Sequence, residues 1–355
     1  MADAGRRPPG RSREIIVLAS LVTALVVTFL LSLILGSTPV PIGRVIDVLI
    51  GAPVERDASA IVVDTIRLPR SFTAMLAGAS LGIAGLQMQT LFRNPLADPF
   101  ALGISSGASL GVAMVVLGTG YGMAAALGSS IGVQGDLLIT AAAIVGAAAV
   151  LALVLLVSTR VPNPTTVLIL GLMFGYALSA LVTVLISASQ PEQLQEWAQW
   201  GLGSFSGVTW QRLRLFGPLT FFGVLIASIT TKQLNVLLLG ENYARSMGVA
   251  VRRVRILTML GASVLGAVVT AFCGPITFLG VAVPHLCRGL LGTSDHRVLV
   301  PAVVLMGGIV ALVAQIVSLL PGAAGILPIN AVTSLLGAPI VIMVILRSRR
   351  GAFAG

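Results

Sequence analysis

This chain of 355 residues has few of the side chains from which enzymes and soluble proteins are usually built. Only 10% of its residues are charged, whereas soluble domains carry about 25%, so an ordinary soluble fold is excluded. Lys232 is the only lysine, and because Gln233 follows it, the Walker A pattern GxxxxGK with Ser or Thr is absent from the sequence. The chain therefore carries no P-loop ATPase site of its own.

Metal-binding and catalytic residues are equally scarce. Two histidines and two cysteines, without a cluster of carboxylates, provide no ligand set for a metal, and no cofactor is expected. Neither HExxH nor a serine nucleophile motif with partner residues is found, which disfavours an intramembrane enzyme. His285 follows a proline and is expected to be a hydrogen-bonded packing residue at a helix end. Cys273 and Cys287 lie in apolar stretches, where we expect them to pack.

Long hydrophobic runs make up most of the sequence. With 56% hydrophobic residues and a mean hydropathy of +1.02, many stretches reach the roughly 20 apolar residues that cross a bilayer. We expect an all-α membrane protein with a basic tail over 1–14 and a single transmembrane domain over 15–350. Ten spans are expected, at roughly 15–35, 68–92, 97–118, 137–158, 165–188, 213–231, 254–272, 276–291, 298–319 and 328–347.

The basic residues support ten spans and give them an orientation. If the N-terminus is cytoplasmic, all but six of the 22 basic residues fall on the cytoplasmic side, as the positive-inside rule predicts. The six outer ones are Arg44, Arg56, Arg67, Arg70, Arg212 and Arg214. Both termini are therefore expected in the cytoplasm of a multi-pass inner-membrane protein. The net charge of +10 needs no nucleic-acid partner, because aromatic residues do not alternate with the basic ones.

Small residues recur every four positions in several spans. The members are Gly78 with Gly82, Gly103 with Gly107 and Gly111, and Gly171 with Gly175. Such spacing lets helix backbones approach closely in lipid, so we expect most of these glycines to pack helices together. The alternative is that some line a substrate route, together with Ser105, Ser106 and Ser109.

Four blocks rich in proline, glycine or polar residues stand out in the sequence. They are RLPR at 67–70 with GLQMQTLFRNPLADPFALGISSGAS at 85–109, LGENYARSMG at 239–248, GPITFLGVAVPHLCR at 274–288 with DHR at 295–297, and LPINAVTSLLGAP at 327–339. In this order the blocks resemble the BtuC-like (FecCD) permease family of ABC importers for iron-siderophore chelates, haem and cobalamin. The resemblance covers 67–339 and implies a BtuC-like permease bundle.

The resemblance also implies partners and residue roles. Such a permease works with cytoplasmic ATP-binding cassette subunits, a second permease chain and an extracytoplasmic substrate-binding protein. Segment 236–253 matches the element that couples to the ATPase, through Gly240, Ala244, Arg245 and Gly248. Arg67 and Arg70 match arginines that dock the binding protein. The cytoplasmic gate is expected at Asn94 and Leu96, and at Thr165 where the fifth span begins.

The chain is thus expected to be the membrane-spanning subunit of an ATP-driven importer and not an enzyme. A ferric siderophore is the leading substrate, with haem or cobalamin as the alternative. An ion-coupled secondary transporter is disfavoured, because the middles of the spans are almost free of ionisable residues. Near the outer end the chain departs from the family pattern at Gln315, Leu319, Ile326 and Asn330, which replace Asp, Arg, Glu and Gly. These departures leave the substrate open.

Overall fold

The computed structural model describes residues 11–36, 40–51, 57–119, 135–161, 163–319 and 327–352, and these residues form an all-helical bundle. Ile326 and most of the basic tail lie outside the described residues. The helices are α1 (Arg11–Ile34), α2 (Ile42–Leu49), α3 (Ala58–Ile61), α4 (Leu68–Phe92), α5 (Ile104–Thr119), α6 (Gly135–Ser158), α7 (Pro164–Ser187), α8 (Pro191–Gly201), α9 (Trp210–Ile229), α10 (Thr231–Leu238), α11 (Glu241–Ser246), α12 (Val251–Cys273), α13 (Leu279–Leu291), α14 (His296–Ser318) and α15 (Ile329–Ala352).

The described helices account for the ten expected spans. Seven helical stretches are long and apolar enough to cross a membrane, and three shorter apolar helices lie at Ile104–Gly118, Leu279–Leu291 and Ile329–Met343. The seventh and eighth spans are separate helices, as expected. Gly274 ends α12 with a φ of 74°, and Pro275, which follows it, cannot donate a backbone hydrogen bond. The bundle is therefore all-α, although the shorter helices make ten an approximate count of true crossings.

Two expected span boundaries differ from the observed ones. The second span begins not at residue 68 but at Ala58, because Asp57 caps α3 and a π-helical turn, Val62–Arg67, joins α3 to α4. The RLPR block is therefore inside a helix. The third span begins at Ile104 and not at 97, because a 3-10 turn and Gly103, with a φ of 80°, precede it.

Helix α4 occupies the centre of the bundle. In the stretch Ala58–Phe92, 78% of the most apolar window is buried, and in α12 the share is 72%, whereas in α1 and α7 it is 11%. A β-carbon added to Gly78 of α4 would collide with the carbonyl oxygen of Gly307 in α14. Gly103 approaches the Gly171 carbonyl in the same way. The glycines thus pack helices together, as expected.

The connections between helices gather at two ends of the bundle. At one end, Arg93 donates to the carbonyl of Leu237 at 2.9 Å and Arg252 to that of Thr159 at 3.3 Å. We refer to this as the inner end, since alternation of the spans predicts that it faces the cytoplasm. We call the opposite end the outer end, and there Arg44 pairs with Asp57 at 3.1 Å.

Candidate functional site

The coupling segment, residues 236–253, forms a turn–helix–turn at the inner end. Gly240 and Gly248, with φ of 121° and 79°, bracket the short helix α11 in conformations that other residues rarely adopt. A β-carbon at Gly248 would meet no heavy atom within 4 Å, and one at Gly240 would meet only the Arg93 side chain, at 3.6 Å. Both glycines therefore leave open surface beside α11.

Ala244 lies on the opposite side of α11. It is fully buried and packs with Leu234, Leu237 and Val251 of the flanking helices. Ala244 therefore does not share the exposed surface that we expected it to form with the two glycines. Its small side chain instead lets α11 lie close against α10 and α12.

An apolar surface that the sequence analysis did not single out covers the outward side of the coupling segment. We call it the coupling patch; it consists of Leu239, Tyr243 and Met247, which are 66%, 53% and 57% exposed. Tyr243 lies in α11, and Met247 directly follows that helix, four residues further on. Leu239 follows the end of α10, before the turn at Gly240, and it lines the same cavity as Tyr243. The recurrence of apolar residues every four positions in an otherwise polar segment could have predicted this surface from the sequence. Exposed apolar surface with polar surroundings is typical of a protein–protein contact.

Glu241 ties α11 to α12. Its carboxylate accepts hydrogen bonds from Arg255 at 3.0 Å and from Arg245 at 3.2 Å. Arg255 is buried at the start of α12, whereas Arg245 is exposed on the surface of α11. A charged contact therefore links α11 to the start of a membrane-spanning helix.

The predicted gate turn, residues 93–98, is held at two points. Arg93, with a φ of 48°, ends α4 and donates to the Leu237 carbonyl of α10, while His285 Nε2 donates to the carbonyl of Pro95 at 2.8 Å. The hydrogen bond expected for His285 is thus confirmed. Asn94 Oδ1 accepts from the Leu96 amide at 2.9 Å, so the Asn94 side chain shapes the turn, and Leu96 is left exposed.

A cavity of about 760 Å³ brings the gate and the coupling segment together. Arg93, Thr165, Gly240 and Tyr243 are among the residues that line it. Thr165 stands in the first turn of α7, where its amide donates to the capping side chain of Asn163 at 2.9 Å. Thr165 and the coupling segment therefore line one cavity, whereas Asn94 and Leu96, at the tip of the gate turn, lie outside its lining.

A second set of hydrogen bonds, also missed from the sequence, fixes α10 to the bundle. Asn235 Oδ1 accepts from the His296 amide at 2.8 Å and from His296 Nδ1 at 2.7 Å, and its Nδ2 donates to Asp295 at 2.6 Å. His296 Nε2 is hydrogen-bonded to Thr90 of α4 at 2.9 Å. The DHR block thus joins three helices at the base of the coupling segment.

The two arginines expected to dock a binding protein have different surroundings at the outer end. Arg67 is only 6% exposed, and its guanidinium donates to the carbonyls of Leu33 and Ile34 at 2.7 and 2.9 Å. It satisfies the last carbonyls of α1, so its side chain is not presented at the surface. Arg70, one turn further along, lines an outer cavity of about 500 Å³.

Two of the departures from the family pattern border that outer cavity. Gln315 and Leu319 line it with Arg70. Asn330 lies at the start of α15, where its Oδ1 accepts from the Thr277 amide at 3.0 Å and from the Thr277 hydroxyl at 2.7 Å. The cavity lining is therefore more neutral than the family pattern implies, and Asn330 joins α15 to the segment before α13.

Comparison with known proteins places this arrangement in a family. Residues 24–347 match the FecCD transport family. The chain belongs to the FecCD family. The vitamin B12 import system permease protein BtuC of Klebsiella pneumoniae is 36% identical over 334 residues, which is 94% of each chain. BtuC of Salmonella paratyphi A is 37% identical over 287 residues, 80% of this chain and 83% of that one.

A solved structure has the same fold. It is described as an ABC transporter of metal-chelate type in an inward-facing conformation, and it matches with a TM-score of 0.79 and 28% identity over 93% of this chain and 99% of that one. This FecCD protein is accordingly the membrane permease of an ABC importer, a transport subunit of the inner membrane and not itself an enzyme. Membership of the family implies an ATPase partner and a permease dimer.

Proposed function

We propose that this permease imports a large metal chelate that an extracytoplasmic substrate-binding protein delivers to the outer end. The observation that carries the proposal is that its relatives are described as permeases for vitamin B12, a cobalt chelate, and as a metal-chelate transporter. The ATPase subunits supply the energy for transport by hydrolysing ATP, because this sequence has no Walker A motif.

A ferric siderophore is the substrate that we put first. Arg70 brings a positive charge to the outer cavity, and Gln315 and Leu319 bring none of the opposite sign. A positive charge in an otherwise uncharged lining attracts anionic ligands, which many ferric chelates are. Cobalamin is the second candidate, which the names of the relatives favour. Haem is the third candidate substrate.

Uptake measurements distinguish the candidates. The gene for this chain is deleted in its host, and uptake of radiolabelled ferric siderophore, haem and cobalamin is compared before and after the gene is returned. The proposal predicts that ferric siderophore uptake falls to background on deletion and is restored with the gene. Loss of cobalamin uptake alone would replace the first candidate by the second. Unchanged uptake of all three ligands would refute a chelate substrate.

For coupling to ATP we propose a mechanism that the contacts at the inner end support. The ATPase subunit seats on the coupling patch and displaces α11 when it closes on ATP. Arg93, which donates to Leu237, carries that displacement to the gate turn, and Glu241 carries it to α12. The cavity between Thr165 and Gly240 then widens or narrows as the two permeases alternate their opening.

At the outer end we assign the docking role to Arg70 and a supporting role to Arg67. Arg70 faces the outer cavity, from which a carboxylate of the binding protein can be reached. Arg67 holds the end of α1 against the helix that carries Arg70. Charge pairs at the rim of an interface mainly accelerate encounter, so this contact is expected to be sensitive to salt.

A further inference from the structure

A groove of about 830 Å³ at the inner end is lined by five arginines, two of which also pair with Glu241 of the coupling segment. Its walls are the end of α6 with the residues that follow it, and the first turns of α12. We call it the basic groove; its arginines are Arg160, Arg245, Arg252, Arg253 and Arg255. No acidic side chain of the described residues lines it.

Three of these arginines have no carboxylate partner within the described part of the chain. Glu241 pairs with Arg245 and Arg255, whereas Arg160, Arg252 and Arg253 are exposed and make no ion pair there. Arg252 Nη2 donates to the Thr159 carbonyl at 3.3 Å, which draws the two walls together. Like charges held this close repel each other, so an anion in the groove would relieve an unfavourable interaction.

The groove lies at the ends of two membrane-spanning helices, and an apolar surface continues from it along α6. Leu153 and Leu156 lie in the last turns of α6, and Arg160 comes two residues after the end of that helix at Ser158. The two leucines are 42% and 59% exposed. Ile256, which is half-buried, lines the groove on the α12 side. A charged groove above an exposed apolar strip matches the two parts of a phospholipid.

We propose that the basic groove binds the headgroup of an acidic phospholipid from the leaflet at the inner end. The phosphodiester contacts Arg160, Arg252 and Arg253, and an acyl chain lies along Leu153 and Leu156. Basic pockets between membrane helices on the cytoplasmic side are suited to such headgroups. An acidic surface of the ATPase would account for the arginines but not for the apolar strip below them, which a lipid chain covers.

The test measures lipid binding to the purified transporter complex. The complex in detergent is titrated with dioleoyl phosphatidylglycerol or dioleoyl phosphatidylcholine, and bound lipid is counted by native mass spectrometry. In a variant with Arg160→Gln, Arg252→Gln and Arg253→Gln, phosphatidylglycerol is expected to bind with an apparent affinity weaker on the order of 100-fold. The matched control is Arg297→Gln, which removes an exposed arginine of the same end outside the groove and should leave binding unchanged.

Further measurements separate lipid from other anions. Leu153→Asn with Leu156→Asn should weaken phosphatidylglycerol binding while all three arginines remain, and millimolar inorganic phosphate should not displace the lipid. Equal binding of the two lipids, equal binding by the triple variant, or full displacement by phosphate would overturn the proposal. So would a triple variant that loses the ATPase subunit but keeps its lipid, because the groove would then be an ATPase contact.

Discussion

Gly248 tests the coupling surface most selectively, because its replacement changes that surface without crowding the bundle. A β-carbon there meets no heavy atom within 4 Å, so even a large side chain projects into open space. The backbone φ of 79° imposes a cost of about 1–2 kcal/mol on residues other than glycine. The cost should be smaller for Gly248→Asn than for most other replacements, because asparagine tolerates the left-handed region.

The two variants Gly248→Trp and Gly248→Asn should therefore differ in partner binding far more than in folding. Both should insert in the membrane and unfold at similar temperatures. In the tryptophan variant the ring stands where the ATPase approaches, and overpacking at a close contact costs about 1–3 kcal/mol. That cost weakens ATPase association by roughly 5- to 150-fold. The assay titrates ATPase subunit onto immobilised permease and measures chelate uptake in parallel.

The asparagine variant separates backbone strain from the surface effect. If it loses ATPase binding as severely as the tryptophan variant, strain and not steric exclusion is responsible. If the tryptophan variant binds ATPase and imports its substrate as the unsubstituted chain does, Gly248 is not at the coupling contact and the reasoning fails.

Three further predictions concern the ion pair, the gate and the docking arginines. Glu241→Gln should lower the free energy of unfolding by about 1.5–3 kcal/mol, because it removes a charge-assisted contact to a buried arginine. Arg245→Gln should cost less than about 0.5 kcal/mol, since that pair is exposed. Thermal unfolding of both variants checks this, and equal shifts in unfolding temperature would contradict it. Leu96→Cys is made in a background without the two native cysteines. It should react with a water-soluble thiol reagent at rates that differ between the nucleotide-free and the ATP-bound complex. Constant labelling would mean that the gate turn is only a connector. Arg70→Glu should slow docking of the binding protein most at low salt. Arg67→Gln should instead lower the unfolding temperature, because it removes buried hydrogen bonds to α1. Normal docking by the Arg70 variant would mean that this arginine only anchors its helix end at the lipid headgroups.

The spans were predictable because a bilayer requires long apolar helices, and the runs of this sequence are that long. Breaks were predictable where proline and glycine are adjacent, as at Gly274 before α13. The start of the second span was not, because a π-helical turn through Val62–Arg67 leaves no composition signal of its own. The observed span therefore begins at Ala58 in α3, ten residues before the start that hydropathy alone predicts.

Side-chain direction was the main limit on predicting the site. The four-residue spacing of Gly240, Ala244 and Gly248 suggested one small face, but the glycines take positive φ and only Ala244 lies within α11. The chain therefore turns between them, and Ala244 points inward. Arg67 was expected at the surface because it matches arginines that dock the binding protein in the family, yet its helix places it beside the unsatisfied carbonyls of α1. Such tertiary partners cannot be read from spacing along one segment.

If the ATPase seats on the coupling patch, changing that patch to serine should release it. Leu239→Ser, Tyr243→Ser and Met247→Ser are combined in one permease, and retention of the ATPase subunit during purification is compared with the unsubstituted complex. The matched control changes three exposed apolar residues at the same spacing at the outer end, Ile42→Ser, Ile46→Ser and Ile50→Ser. The account predicts that the coupling-patch variant loses the ATPase and substrate import while the control keeps the ATPase. Full ATPase retention by the coupling-patch variant would contradict it.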